Sequence, residues 1–277
     1  MLRRFLAAGA VLLLAGTVAG AFEPQLQQGQ EKVRLVEPRL TIARGGVSSP
    51  QVALTLDACM GKTDRRILDM LVREKIPATI FVTARWLRQN GEAFAILKAN
   101  ADLFAIEDHG AMHVPAATNV PRIYGIRTAG SLAAVRAEIE GGAKAIMDAG
   151  APKPKWYRDA TARYSTDAID LATSLGYGIG GYSLNGDQGA SLLAPVVARR
   201  ISGARDGDVI ISHINQPSRS AGDGVVKGVL ALKAKGMKFV LLRDVETTLT
   251  LNPVPTHKLP SGIGEAGAGT ARPRDKK

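Results

Sequence analysis

Val52-Ala53-Leu54-Thr55-Leu56-Asp57-Ala58-Cys59-Met60-Gly61 reads as a buried strand that runs into a carboxylate and then breaks at a glycine. Apolar residues and a threonine over 52–56 fit a strand covered on both faces, as in a parallel sheet. Asp57 falls where such a strand surfaces, and Asp64 opens a helix carrying Ile67, Leu68 and Leu71 on one face. Asp64 is the natural cap of that helix, which leaves Asp57 free for chemistry at the C-terminal end of the strand. Gly61-Lys62-Thr63 does not complete a phosphate-binding loop, because Leu56 stands where that loop needs its first glycine.

Downstream, strand and helix alternate. Strands are predicted at 77–82, 103–106, 155–158, 177–184, 208–213 and 238–242, with helices at 64–75, 84–99, 131–149, 166–175, 192–205 and 225–235. With the opening strand, this alternation predicts an α/β fold: a single domain over 51–245, an irregular (β/α) barrel of about seven parallel strands. A doubly wound open sheet is the alternative architecture. Residues 22–50, polar and glutamine-rich, are expected to lead in to the domain. The segment 252–277, rich in Gly, Ala, Pro and Lys, is expected to be disordered.

The N-terminus reads as a targeting segment. Leu2-Arg3-Arg4 is a positive start, Phe5 to Ala15 an apolar run of 11 residues, and Ala19-Gly20-Ala21 a small-residue cleavage site. Residues 1–21 are therefore expected to be a signal peptide, too short for a stable membrane span, with an uncleaved anchor as the alternative. The mature protein is then periplasmic or secreted. Cys59 is the single cysteine, which excludes an internal disulfide; a small buried thiol is its ordinary fate. The net charge is +11, but two arginines at the N-terminus and five basic against two acidic residues in 252–277 carry five of those charges. No basic block is interleaved with aromatics, so nucleic acid is a poor partner, whereas a mild positive field suits an anionic cell-wall polymer.

The polar residues carry the functional signal. Three of the four histidines, His109, His113 and His213, fall at or just beyond predicted strand ends, as do Asp57, Arg158 and Asp187. Any one of them has an ordinary structural explanation, but in a parallel sheet all six converge on one rim. His109 and His113 are four apart, a metal-ligand spacing in which one helical turn aims both imidazoles at one point. Zinc or another imidazole-binding divalent ion is the natural guest, and a surface helical pair the plain alternative. Gly110 and Val114-Pro115 point to a tight loop or a single turn.

In identity, order and spacing, four motifs resemble the polysaccharide deacetylase family (carbohydrate esterase family 4). They are Leu54-Thr55-Leu56-Asp57, His109-Gly110-Ala111-Met112-His113, Tyr157-Arg158 and Asp208-Val209-Ile210-Ile211-Ser212-His213. The resemblance spans roughly 50–245. It implies an irregular α/β barrel and a divalent metal, usually zinc, that activates water to remove acetyl groups from N-acetylated sugars of chitin or peptidoglycan. It also implies Asp57 as general base, His109 and His113 as metal ligands, Arg158 as the arginine orienting the base, and His213 as general acid. Asp187 would be the carboxylate that keeps His213 protonated.

Two departures stand out. Ala58 occupies the position of the family's carboxylate ligand, in an Asp-Ala-Cys version of its first motif; Glu107, Asp108 or Cys59 are the side chains at hand to replace it. Arg158-Asp159-Ala160-Thr161-Ala162 also lacks the family's prolines. The expected function is metal-assisted removal of N-acetyl groups from a glycan. The competing readings are a non-catalytic glycan-binding relative and a hydrolase of a non-sugar amide. A pure binder has no use for a base and an acid, and the aromatic content of 5% is low for a sugar-binding platform.

Overall fold

The computed structural model describes residues 32–43 and 49–255. The expected signal peptide, 1–21, and residues 256–277 of the expected tail lie outside the described residues, whereas Asn252 and Pro253, expected to be disordered, pair in a strand with Glu37 and Val36. In chain order the elements are β1 (Leu35–Ile42), β2 (Gln51–Ala58), α1 (Arg65–Glu74), β3 (Ala78–Val82), α2 (Ala84–Leu87), α3 (Gly91–Ala99) and β4 (Phe104–Asp108). A short hairpin follows, β5 (Arg122–Ile123) and β6 (Ile126–Arg127), then α4 (Leu132–Asp148), β7 (Trp156–Tyr157), β8 (Tyr164–Ser165) and α5 (Thr166–Ser174). The last group is β9 (Gly178–Ile179), β10 (Leu184–Asn185), α6 (Ala194–Ser202), β11 (Val209–His213), α7 (Ala221–Ala234), β12 (Lys238–Val240) and β13 (Thr247–Pro253).

The main sheet is parallel and runs β10-β11-β2-β3-β4-β7-β9, seven strands curled into an open half-barrel, with β12 joined to β2 as an eighth strand off this path. β2 lies at its centre. One edge of β2 pairs with β11 over 53–57, and the other is shared by β12 over 51–53 and β3 over 55–58. All of its neighbours are parallel, so both faces are covered, as its apolar run predicts.

Outward side chains of β2 and β3 pack with Ile67, Leu68 and Leu71 of α1, Val197 and Ile201 of α6, and Val225, Val229 and Leu232 of α7. A smaller interior layer, Leu40, Ile42, Ala53, Phe81, Val209 and Leu242, fills the base of the half-barrel. Burying each such side chain is worth about 1.5–3 kcal/mol. The strands' C-terminal ends are left above that plug as a polar rim.

Three departures from the sequence expectation have physical causes. The helix expected at 84–99 is two helices, broken before the buried Asn90, whose carboxamide reaches back to the loop after β2. The strand expected at 177–184 is β9 and β10, on opposite edges of the sheet. Gly180 and Gly181 connect them where the backbone passes too close to Phe81, Arg158 and Pro38 to admit a side chain. Finally, the stretch expected as a lead-in contains β1, which pairs antiparallel with β13 over Ile42↔Thr247 to Val36↔Pro253. β1 also exchanges hydrogen bonds with Tyr182, so it covers the seam between β9 and β10.

Candidate active site

Strand alternation in β2 decides what reaches the rim. Val52, Leu54, Leu56 and Ala58 point outward into the helix-packed core, whereas Ala53, Thr55 and Asp57 face inward, and Cys59 continues the inward series. Position 58 is therefore turned away from the site, and position 59 supplies the next side chain to it. The backbone of this turn is held from three sides. The Thr83 hydroxyl donates to the Cys59 carbonyl, the Asn215 amide donates to the Met60 carbonyl, and Asn90 donates to the Gly61 carbonyl at 2.9 Å.

The two histidines come together through a loop. His109 follows β4, and its Nδ1 donates to the Arg158 carbonyl at 2.8 Å, which aims Nε2 at Cys59 Sγ, 3.4 Å away. Gly110 (φ +86°) and His113 (φ +66°) then fold the chain back in left-handed conformation, bringing the rings to 5.0 Å between centroids, edge to face. A non-glycine residue at positive φ costs on the order of 1–2 kcal/mol, and a buried carboxylate from α4 offsets it. Glu138 Oε1 accepts from the amides of both Met112 (2.8 Å) and Val114 (3.0 Å). A Cβ at Gly110 would lie 2.6 Å from that oxygen, so only glycine fits beneath it.

The carboxylates beside His109 serve other partners. Glu107 accepts from the amides of Lys155 (2.7 Å) and Trp156 (2.8 Å). Asp108 Oδ1 accepts from the Gly110 amide at 2.8 Å, against α4 at Gly142. Neither is in the cluster of metal-ligating side chains. That cluster is Cys59, His109 and His113, whose donor atoms all lie within 4.8 Å of one another.

These three residues fit a divalent cation. His113 Nε2 is buried without a hydrogen-bond partner, a state that costs about 1–3 kcal/mol unless something binds the nitrogen. Burial pushes the Cys59 thiol up, but the neighbouring His113 and His109 outweigh it and bring the thiol well below its ordinary range, toward the thiolate that ligates metals. One sulfur and two imidazole nitrogens are a donor set that would hold such an ion with three protein ligands, the number found in catalytic zinc sites.

Beside the cluster lies a buried ion pair. Arg158 Nη1 donates to Asp57 Oδ1 at 2.7 Å, while Nε and Nη2 donate to the carbonyls of Gly180 (2.8 Å) and Gly181 (3.0 Å). The guanidinium is stacked over Phe81, 4.1 Å from the ring centre. Burial alone would raise the Asp57 carboxyl, but Arg158, with His109 and His213, holds it below the usual range. Its other oxygen, Oδ2, lies 3.8 Å from His109 Nε2 and faces the cluster. On the opposite side, His213 is the register partner of Asp57 on β11. Asp187 accepts from both its Nδ1 (2.9 Å) and its backbone amide (2.7 Å). Burial would lower the imidazole, but the Asp187 charge, reinforced by the neighbouring Cys59, carries it well above the ordinary value.

All six residues singled out in the sequence thus stand on one rim. Sequence reading missed Glu138, whose helix position signals only a solvated face, and Thr83, Asn90 and Asn215, which carry no motif. Of the three side chains at hand to replace a carboxylate at position 58, strand alternation turns Cys59 toward the two histidines.

A family model described as polysaccharide deacetylase matches residues 44–180. No curated protein matches the chain. Among solved structures, a family 4 carbohydrate esterase pseudoenzyme from Bacillus anthracis is 19% identical over 73% of this chain and 67% of that one, with a TM-score of 0.58. A family 4 carbohydrate esterase from Streptomyces lividans, solved with acetate, is 18% identical over 70% of this chain and 93% of its own, TM-score 0.57. The Bacillus subtilis peptidoglycan deacetylase is 18% identical over 71% of this chain and 90% of its own, TM-score 0.57. The chain carries the fold of the family 4 carbohydrate esterases, and the match to the polysaccharide deacetylase model is confined to residues 44–180.

Proposed function

We propose that the protein is a metal-dependent amide hydrolase that removes N-acetyl groups from a cell-wall or extracellular glycan, of peptidoglycan or chitin type. The observation that carries this is the grouping on one rim of a metal-ligating cluster, a carboxylate held ionised by a buried arginine, and an imidazole held protonated by a buried carboxylate. A pure glycan binder gives those two pairs no role.

Cys59, His109 and His113 would hold the metal, with the thiolate serving where relatives use a carboxylate in an Asp-Ala-Cys version of the first motif; zinc suits this sulfur–imidazole set. The metal's contribution is Lewis acidity, which eases deprotonation of water and polarises the acetamide carbonyl. Asp57, through Oδ2, takes the proton of the attacking water, and Arg158 keeps the carboxylate ionised and fixed. Water oxygen bonds to the acetyl carbon, the C–N bond breaks, and His213 Nε2 delivers a proton to the departing nitrogen. The products are acetate and a free amine. The targeting reading of residues 1–21 places this activity in the periplasm or outside the cell.

Acetate release from N-acetylglucosamine oligomers tests the assignment. Asp57→Asn and His213→Ala are each expected to lower turnover by roughly 10²–10⁴ while leaving metal content intact. Full turnover in either variant would remove that residue from the mechanism.

A further inference from the structure

The β5–β6 hairpin carries an aromatic ring in an unusual place. Its turn is Tyr124-Gly125, with φ of +51° and +79°, the two positive values of a type I′ turn. Asn or Gly takes the first of those positions readily; tyrosine takes it only under strain. Ile123 anchors the hairpin against Leu35, Ala117 and Val120, yet Tyr124 is 45% exposed. Folding alone gives no reason to hold a large ring out at a strained position.

The ring is ordered all the same. The Arg163 guanidinium lies over it, 4.5 Å from its centre. Arg163 Nε donates to Glu37 at 2.7 Å, and the other Glu37 oxygen accepts from the Tyr182 hydroxyl at 2.5 Å. The Arg163 amide donates to Asp159 at 3.0 Å, and Asp159 is next in the chain to Arg158, the partner of Asp57. One face of the ring is thus backed by a fixed cation, and the hairpin is tied to the strand end that carries Arg158, the arginine that positions Asp57.

An exposed, pre-ordered aromatic face is the usual platform for the flat C–H face of a sugar ring, since little freedom is lost on contact. We propose that Tyr124 stacks on a sugar unit of the glycan other than the one being deacetylated, so that the substrate is a chain rather than a mono- or disaccharide. This rests on the glycan reading above for the identity of the ligand.

The test is calorimetric binding of the N-acetylglucosamine hexamer and dimer to the full chain, with chelator present so that turnover does not contribute. Wild type should bind the hexamer more tightly than the dimer. Tyr124→Gly should weaken hexamer binding roughly five- to tenfold and leave the dimer unchanged. Its melting temperature should be equal or higher, because glycine adopts the turn without strain. Tyr124→Phe should match wild type. Hexamer binding unaltered in Tyr124→Gly, equal losses for both oligomers, or a wild type that binds neither would overturn the proposal. Acetate release is a separate readout: a protein that stacks the hexamer but releases no acetate keeps the platform and loses the hydrolase.

Discussion

Cys59 Sγ lies 3.4 Å from His109 Nε2, while Ala58, one residue earlier, points into the core beneath α1. Cys59→Ser is therefore expected to lower metal affinity by more than the roughly 10–100-fold that loss of a supporting contact costs. In the cobalt-loaded protein it should also abolish the near-ultraviolet thiolate charge-transfer band. Adding Ala58→Asp to Cys59→Ser should not restore binding, because it buries an unpaired carboxylate in an apolar layer and lowers stability. A double variant that regains the metal would show that position 58 reaches the site after all.

Glu138 holds the His109–His113 loop through two amides on one oxygen. Glu138→Ala should leave both donors unpaired, release the strain at His113 by loosening the loop, and weaken metal binding roughly 10–100-fold. Glu138→Gln keeps an acceptor oxygen and should stay within about threefold of wild type. Metal titration of the two variants, alongside their circular dichroism, separates loop positioning from general unfolding.

Asp187 sets the protonation of His213. With its pKa raised, His213 stays charged to higher pH than an ordinary imidazole, so the alkaline limb of kcat should lie above about pH 6.5. In Asp187→Asn the charge is gone and burial prevails; the limb should move to lower pH, with turnover above it reduced. The same shift has a stability sign. A raised folded-state pKa gives stabilisation that is full below the ordinary value and is lost as pH rises through the folded one. Denaturation of wild type should accordingly show its advantage over Asp187→Asn shrinking at alkaline pH.

Asp108 is adjacent to His109 yet faces α4, and burial pushes its carboxyl well above the usual range. Its Oδ2 has no hydrogen-bond partner. Asp108→Asn mimics the protonated form and should leave metal affinity unchanged within about threefold. Because the raised pKa removes stability as pH rises, the variant should match wild type in acid and exceed it at neutral pH. A large loss of metal would return Asp108 to the ligand set.

The parallel sheet was legible because β2, β3 and β11 are buried on both faces and read as continuous apolar runs. The rim was legible because strand ends share one direction. What escaped was set by the third dimension. The break at Asn90 depends on a loop 27 residues earlier, with Asn90 Oδ1 accepting from the Thr63 amide at 2.9 Å. The split of β9 from β10 depends on Arg158 and Pro38 pressing on Gly180 and Gly181. The pairing of β1 with β13 joins the two ends of the domain, beyond the reach of any local pattern. Gly110 and Val114-Pro115 pointed to a tight loop or a single turn; the loop is the outcome, built by two left-handed residues and a distant glutamate that no local pattern signals.

The most direct measurement is acetate release from N-acetylglucosamine oligomers by chelator-stripped protein, before and after titration with zinc or cobalt. Release that is absent from the stripped protein and returns with about one equivalent of metal is the predicted result, and it should fail to return in Cys59→Ser at the same metal concentration. Folded wild-type protein that binds the metal and releases no acetate would contradict it.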